Sequence, residues 1–413
     1  MSAVTLSHPT KVVKGVVTLP ASKSIANRLL LMRAVAGIKD LQINNLSNAR
    51  DTIILNGILA NLTSSQPVDV HDAGTVMRFL TAYLSATEGD WILTGTERMQ
   101  QRPIGALVNV LRELGAEISY EKNENYPPLR IRGKKLKGGK VEVDGSVSSQ
   151  FLSALLMIAP LYQEPLELHI KNELVSVPYV KMTLHLMQQW GSEYSWEGNI
   201  IRIENTPYTK NNDKVFCESD WSAASYFYSA LALAKEGRIE LPHLFKDSLQ
   251  GDSVCVEVFK QLGVKTIFTS EGITLEKQSE VVHNFDFDFI NCPDIAQTLA
   301  VCCATKGMST KLSGLQTLAI KETDRITAIK TELEKLGAEV SVAKDSMSIS
   351  PSSLTPNPSS LISTYKDHRM AMSFAPLALA LEKIGIEDPR VVEKSFPHFW
   401  KELEKIGFVC TIP

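Results

Sequence analysis

One pattern recurs along this chain: an amphipathic helix that ends on an apolar residue and a glycine, followed by a short alternating strand. It reads VLRELGAEISY at Gly115, LMQQWGSEYSW at Gly191, FKQLGVKTIFT at Gly263, ELEKLGAEVSV at Gly337 and ELEKIGFVCTI at Gly407. A sixth, weaker copy is the helix-like LNGILANL from Leu55 to Leu62, after which the strand and loop look shortened. The period of roughly seventy residues exceeds that of usual solenoid repeats, so each unit is a small α/β fold rather than one hairpin. Six units imply two domains of three units each. Halving the repeats puts the boundary between Gly191 and Gly263, near Phe216 to Asp220. The only low-complexity patch, PSSLTPNPSS from Pro351 to Ser360, falls inside a repeat and reads as a surface loop.

Composition narrows the function. The 413 residues are 44% hydrophobic and 22% charged, with net charge −3, which suits a globular protein of two or three domains. Dedicated nucleic-acid and membrane-surface binders carry a basic excess that is missing here. The six cysteines form no CxxC pair, so they read as free thiols in a reducing cytosol. The first fifteen residues lack the apolar core of a signal peptide. The longest apolar run, Phe151 to Tyr162, is too short to span a bilayer. A cytoplasmic location is the expectation.

Anion-competent groups gather at predicted helix starts. In Lys321-Glu322-Thr323-Asp324-Arg325, Thr323 or Asp324 can cap a helix with apolar positions Ile326, Ile329, Leu333 and Leu336, ended by Gly337. Free N–H groups at a helix start, with Lys321 and Arg325 added, suit a strongly anionic ligand. Glu322 cannot bind that anion and reads as a proton-transfer group. In PASKSIANR, Ser22 or Ser24 can cap the next helix, while Lys23 sits at its mouth and Arg28 shares a face with Ser24. In DAGTVMRF, Gly74 permits close approach to the backbone and Arg78 follows on the same face. Arg98 and Arg102 in ERMQQRPI can clamp a carboxylate or be solvated. Ser146, Ser148, Ser149 and Gln150 precede a buried helix; Ser176 and Tyr179 precede another. Asp294 is either a helix cap or a base held near a hydroxyl. Asp367-His368-Arg369 opens a helix with Arg369 in its first turn, and Lys394 stands near the C-terminus. No metal-ligand spacing is present. The expected ligand is multiply anionic, with phosphate and carboxylate, and lies between domains.

Together PASKSIANR, DAGTVMRF, ERMQQRPI, SSQFLSALLM, IKETDRI and DHRMAM resemble the 5-enolpyruvylshikimate-3-phosphate synthase family. The motifs run in family order from Pro20 to Lys394. The resemblance implies an α/β fold: a two-domain inside-out barrel, three βαβαββ repeats per domain, with helix N-termini facing the interdomain cleft. It assigns residues 21–218 to one domain, and residues 1–20 with 219–413 to the other. It also implies site roles. Lys23, Ser24, Arg28, Ser148, Ser149, Ser176, Asp294 and Lys321 match shikimate-3-phosphate contacts. Lys23, Gly74, Arg102, Gln150, Arg325, Arg369 and Lys394 match the phosphoenolpyruvate site, which glyphosate also occupies in this family. Asp294 matches the acceptor of the 5-hydroxyl proton, while Glu322 and Lys23 match the groups that handle the proton at C3. No metal or organic cofactor is implied, and a monomer is expected, with no nucleic-acid or membrane partner.

Three positions depart from the family pattern. Asp72 stands where many members have Asn, Thr317 where an Asn often contacts the shikimate, and the segment between Leu62 and Asp72 is short. The nearest alternative is the sister transferase acting on UDP-N-acetylglucosamine. That family carries Lys-Asn in place of Lys23-Ser24 and a reactive loop cysteine, whereas no cysteine precedes Cys217 here. A non-catalytic anion- or RNA-binding protein on the same repeat is the other alternative. Net charge −3 and the retained Asp294 and Glu322 argue against it.

Overall fold

A computed structural model describes residues 3–209, 214–279, 282–351, 354 and 361–411. Of the stretch Pro351 to Ser360 only Pro351 and Leu354 belong to that set, so its reading as a surface loop lies outside the described residues. The chain forms two compact units, Ser22–Cys217 and Met1–Ala21 with Glu218–Pro413.

Within Ser22–Cys217 the repeat shows its plan. Strand Val68–Asp69 leads to helix Gly74–Ser85, strand Gly89–Thr94 and helix Gly105–Glu113, then to strands Glu117–Tyr120 and Leu129–Gly133. The first two strands pair parallel, as a helical crossover requires. Leu129–Gly133 then lies antiparallel between Gly89–Thr94 and Glu117–Tyr120. The second unit repeats this order with strands Gly139–Asp144, Leu166–Lys171, Ile200–Ile203 and Tyr194–Glu197.

The third unit departs from the expected βαβαββ plan. Helices Lys23–Ala36 and Arg50–Ala60 flank strand Gln42–Asn44, which pairs parallel with Lys214–Phe216 alone. Among the described residues this sheet has two strands. The reason is chain length. Only residues 61–67 separate Ala60 from Val68, the first strand residue of the next unit, and that stretch is too short for a hairpin.

The other compact unit carries three four-stranded sheets of the same order. The N-terminal segment serves two of them: Val12–Val16 pairs parallel with Glu236–Pro242, and Ala3–Ser7 lies antiparallel between Ile384–Glu387 and Val409–Thr411. Helices Trp221–Leu233 and Ala296–Thr305 are buried around nearly their whole circumference. That is why they read as apolar on every face rather than amphipathic.

The recurring glycine has one physical cause. Gly115, Gly191, Gly263, Gly337 and Gly407 all have φ between 85° and 100°. This left-handed conformation lets the chain turn back from helix to strand. At Gly115 the turn is closed by Gly115 N–H to Arg112 O (2.9 Å) and Ala116 N–H to Leu111 O (2.9 Å). Paired bonds of the same kind recur at Gly191, Gly337 and Gly407.

Candidate active site

In the unit containing the C-terminal half, the loop before helix Arg325–Lys335 gathers charge. Asp324 is the cap, accepting from Thr327 N–H at 3.2 Å, which leaves Arg325 as the first helical residue with its side chain buried. Its guanidinium donates from Nε to Asp367 Oδ2 (2.7 Å), from Nη1 to Asp294 Oδ1 (3.2 Å) and from Nη2 to Glu322 Oε2 (2.9 Å). Arg369 Nη2 lies 3.0 Å from Asp294 Oδ2, and its Nη1 donates to the Tyr226 hydroxyl at 3.2 Å. Lys394 Nζ is 3.3 Å from Glu322 Oε1, and Lys321 Nζ is 3.8 Å from Asp294 Oδ1. Four cations and three carboxylates thus form one network.

Burial opposes charge on Arg325, yet Asp367, Glu322 and Asp294 outweigh it and hold its pKa above the ordinary value. Arg369 is also held up, burial again being overcome, chiefly by Asp294. Lys321 is pulled below its ordinary value by burial, against the attraction of Asp294. Cys292 takes the cap position of the short turn Pro293–Ile295, with Asp294 inside it, and the Asp294 carboxylate meets the cations.

Behind this network lies Asp252, buried, with its carboxylate receiving the Ser222 hydroxyl. Burial, then the Asp294 charge, pushes its carboxyl up to about 7. Below about pH 4 both folded and unfolded chains hold this proton; between about 4 and 7 only the folded chain does, so stability falls as pH rises. Above 7 the full cost of the buried charge is present. Asp252→Asn is therefore expected to stabilise the free protein at pH 8 by about 1–3 kcal/mol and to change little at pH 4. Thermal melts at the two pH values check this, and equal shifts at both would contradict it.

The unit Ser22–Cys217 holds a different arrangement. Ser22 is the helix cap, accepting from Ile25 N–H at 3.4 Å. One turn in, Arg28 is 2% exposed. Its guanidinium donates to Thr183 Oγ1 (2.7 Å), Ser24 O (2.8 Å), Ser153 Oγ (3.0 Å) and Tyr179 O (3.3 Å), all neutral acceptors. Among the described residues no carboxylate forms an ion pair with it. Burial lowers its pKa to about 10, so it remains a cation at neutral pH.

Gly74 opens helix Gly74–Ser85, and Arg102 lies over it. A Cβ at Gly74 would sit 2.5 Å from Arg102 Nη1 and 2.8 Å from Arg78 Nη1. Arg78 Nη1 donates to Gly74 O at 2.9 Å. Arg98 is exposed, whereas Arg102 is half-buried with its Nε unpartnered. Lys23 Nζ is 3.2 Å from Asp51 Oδ2. Ser148 caps helix Ser149–Met157 through Gln150 N–H (3.3 Å), and Gln150 Nε2 donates to Thr75 Oγ1 at 3.1 Å. Ser149 and Ser176 are buried, Ser176 with φ 56° just ahead of helix Val177–Gln189. Ser146 donates to Asp144 at 2.6 Å and so serves its own turn. Asp72 lies 4.0 Å from Arg50, and Thr317 Oγ1 is buried with no partner.

Sequence reading passed over Asp367, Asp51, Asp252, Tyr226, Ser153 and Thr183. Asp367 was legible only as the residue opening a helix; it does cap His368–Phe374, but its second role is the ion pair to Arg325. The others lie in apolar runs or ordinary helix starts, with no local signal. Among the described residues no helix is long and apolar enough to cross a membrane, and no His/Cys/Asp/Glu group is arranged to hold a metal ion.

Repeated βαβαββ units carry buried cations at helix starts with carboxylates kept among them, a charge pattern that suits small polyanions. Comparisons with known proteins make this specific. The family model for EPSP synthase (3-phosphoshikimate 1-carboxyvinyltransferase) matches residues 38–403. A 3-phosphoshikimate 1-carboxyvinyltransferase of Bacteroides fragilis is 48% identical over 405 residues, covering 98% of this chain and 97% of that one. One from Haemophilus influenzae is 38% identical over 443 residues, covering 98% and 99%. The structure of EPSP synthase from Acinetobacter baumannii superposes with TM-score 0.81 over the whole of both chains at 20% identity, a likeness of fold. The chain belongs to the EPSP synthase family.

Proposed function

We infer that this protein transfers the enolpyruvyl group of phosphoenolpyruvate to the 5-hydroxyl of shikimate 3-phosphate, releasing phosphate, as a step of aromatic amino-acid biosynthesis. The observation that carries the reading is the pair of charge environments. Among the described residues Arg28 is a buried cation served by neutral acceptors alone, and such a group calls for an anionic ligand. Asp294 and Glu322 are carboxylates held among cations, suited to move protons.

The roles we assign are those the family resemblance implies, and the charge environments within each unit support them. Arg28, Ser24, Ser148, Ser149 and Ser176 hold the phosphate and ring of shikimate 3-phosphate, with Lys23, Lys321 and Asp294. Gly74, Arg102, Gln150, Arg325, Arg369 and Lys394, again with Lys23, hold phosphoenolpyruvate. Glu322 or Lys23 delivers a proton to C3, and positive charge develops at C2. Asp294 takes the 5-hydroxyl proton as that oxygen attacks C2. The tetrahedral adduct then loses phosphate, and the arginines and lysines stabilise charge on the departing group. Holding both substrates adds proximity. The two compact units act as the two three-repeat domains of the enzyme, and the monomer is the working form in the cytoplasm.

Purified protein should release phosphate only when phosphoenolpyruvate and shikimate 3-phosphate are both present. Release with UDP-N-acetylglucosamine in place of shikimate 3-phosphate would favour the sister transferase instead.

Gly74 offers a narrower check. An added methyl meets the guanidinium of Arg102 at 2.5 Å and that of Arg78 at 2.8 Å, each the far end of a flexible side chain that can move aside. Gly74→Ala should therefore fold, raise the KM for phosphoenolpyruvate about tenfold and leave that for shikimate 3-phosphate nearly unchanged. Inhibition by glyphosate should weaken more than phosphoenolpyruvate binding. Equal losses for inhibitor and substrate would count against this assignment.

A further inference from the structure

The backbone leading into Asp367 is strained. Tyr365 and Lys366 have φ of 53° and 58°, two successive non-glycine residues in the left-handed region. Each placement costs free energy and persists only where the surroundings enforce it. Three contacts do so. Asp367 N–H donates to Thr364 O at 2.8 Å, closing the turn. The Tyr365 hydroxyl donates to Glu332 Oε1 at 2.5 Å. The Ser363 N–H donates to Glu332 Oε2 at 3.2 Å.

Glu332 is wholly buried and belongs to helix Arg325–Lys335, the helix that begins with Arg325. Lys335 Nζ balances its charge at 2.7 Å. Burial and the neighbouring Glu332 carboxylate push Tyr365 up to about 12, so its hydroxyl stays a donor. The helix and the strained turn are therefore joined at two places two turns apart. One is the Arg325–Asp367 pair at the helix start, and the other is Glu332 with Tyr365 and Ser363.

We propose that Glu332 and Tyr365 are positioning residues: they lock the strained turn so that Asp367 aims the Arg325 guanidinium at the phosphoenolpyruvate anion. The inference rests on the functional reading above. Neither residue touches the reacting atoms. Freed of its anchor, the turn relaxes out of the left-handed region, Asp367 shifts, and Arg325 loses the partner that fixes its Nε. A guanidinium with two or three orientations binds an anion less well than one already aimed.

The test is steady-state kinetics on the full chain with both substrates varied. Tyr365→Phe removes one hydroxyl and should raise the KM for phosphoenolpyruvate about tenfold. The KM for shikimate 3-phosphate should change less than twofold. Glu332→Gln keeps one oxygen for the hydroxyl but loses the acceptor for the Ser363 N–H, so its KM should lie between the parent and Tyr365→Phe, whereas Glu332→Ala should match or exceed Tyr365→Phe. If Glu332→Ala fails to fold, the contrast between Tyr365→Phe and Glu332→Gln carries the test. A lowered melting temperature with both KM values unchanged would reduce the contact to scaffolding and overturn the proposal. Equal rises in the two KM values would overturn it as well. An unsubstituted protein that releases no phosphate with both substrates would instead refute the assigned reaction.

Discussion

Asp294→Asn is expected to lower kcat about thousandfold while shikimate 3-phosphate still binds, because general-base contributions span about two to four orders of magnitude. The carboxylate lies 3.2 Å from Arg325, 3.0 Å from Arg369 and 3.8 Å from Lys321. Asparagine has the same outline and keeps one oxygen to accept from Arg369, while Arg325 stays anchored by Asp367 and Glu322. What disappears is the ability to take a proton from the 5-hydroxyl. Titration calorimetry with shikimate 3-phosphate and single-turnover rates separate the two effects. Lost binding with unchanged turnover per bound complex would assign Asp294 to holding substrate rather than to proton transfer.

Arg28→Met should show the opposite split. Shikimate 3-phosphate affinity should fall by about thirty- to a thousandfold, as expected when one partner of a buried charge pair is removed. The free protein should lose no stability, which thermal melting checks directly. Methionine refills the space of the arginine stem without a charge, and an unpaired buried cation is costly in the absence of its anion. The polar groups left behind already have other partners. Thr183 Oγ1 lies 2.8 Å from both Ser153 Oγ and Tyr179 O, so its hydroxyl can donate to the carbonyl while accepting from Ser153. Loss of affinity with an unchanged or raised melting temperature marks Arg28 as a binding group. Unchanged affinity would remove it from the site.

What was legible in the sequence follows from how local each signal is. The helix–glycine–strand repeat depends on a left-handed residue and a few neighbours, so Gly115, Gly191, Gly263, Gly337 and Gly407 announce themselves. Helix caps are equally local. Where two caps were open, at Thr323 or Asp324 and at Ser22 or Ser24, the structure selects Asp324 and Ser22. The reduced unit containing Gln42–Asn44 was visible only as a shortened segment. Its second strand, Lys214–Phe216, comes from the far end of the compact unit, and no local pattern could have paired it with Gln42–Asn44.

Long-range partners were the hidden part of the site. Arg325 and Arg369 could be read as anion-competent, but not that Asp367, 42 positions away, anchors the first, nor that Tyr226 receives the second. Arg28 could be placed on a helix face. That it is buried among the neutral oxygens of Thr183, Ser153 and Tyr179 depends on two other helices packing against its own. Asp51 lies in an amphipathic helix that gave no reason to single it out, yet it pairs with Lys23. Fold came from periodic local chemistry, whereas charge balance came from tertiary packing.

The most direct test of enolpyruvyl transfer is phosphorus NMR of one reaction mixture of protein, phosphoenolpyruvate and shikimate 3-phosphate. The phosphoenolpyruvate signal should convert to inorganic phosphate while the shikimate 3-phosphate signal is replaced, in equal amount, by that of a new phosphate monoester. Inorganic phosphate growing from phosphoenolpyruvate with the shikimate 3-phosphate signal unaltered would mean hydrolysis without transfer, and would contradict the account.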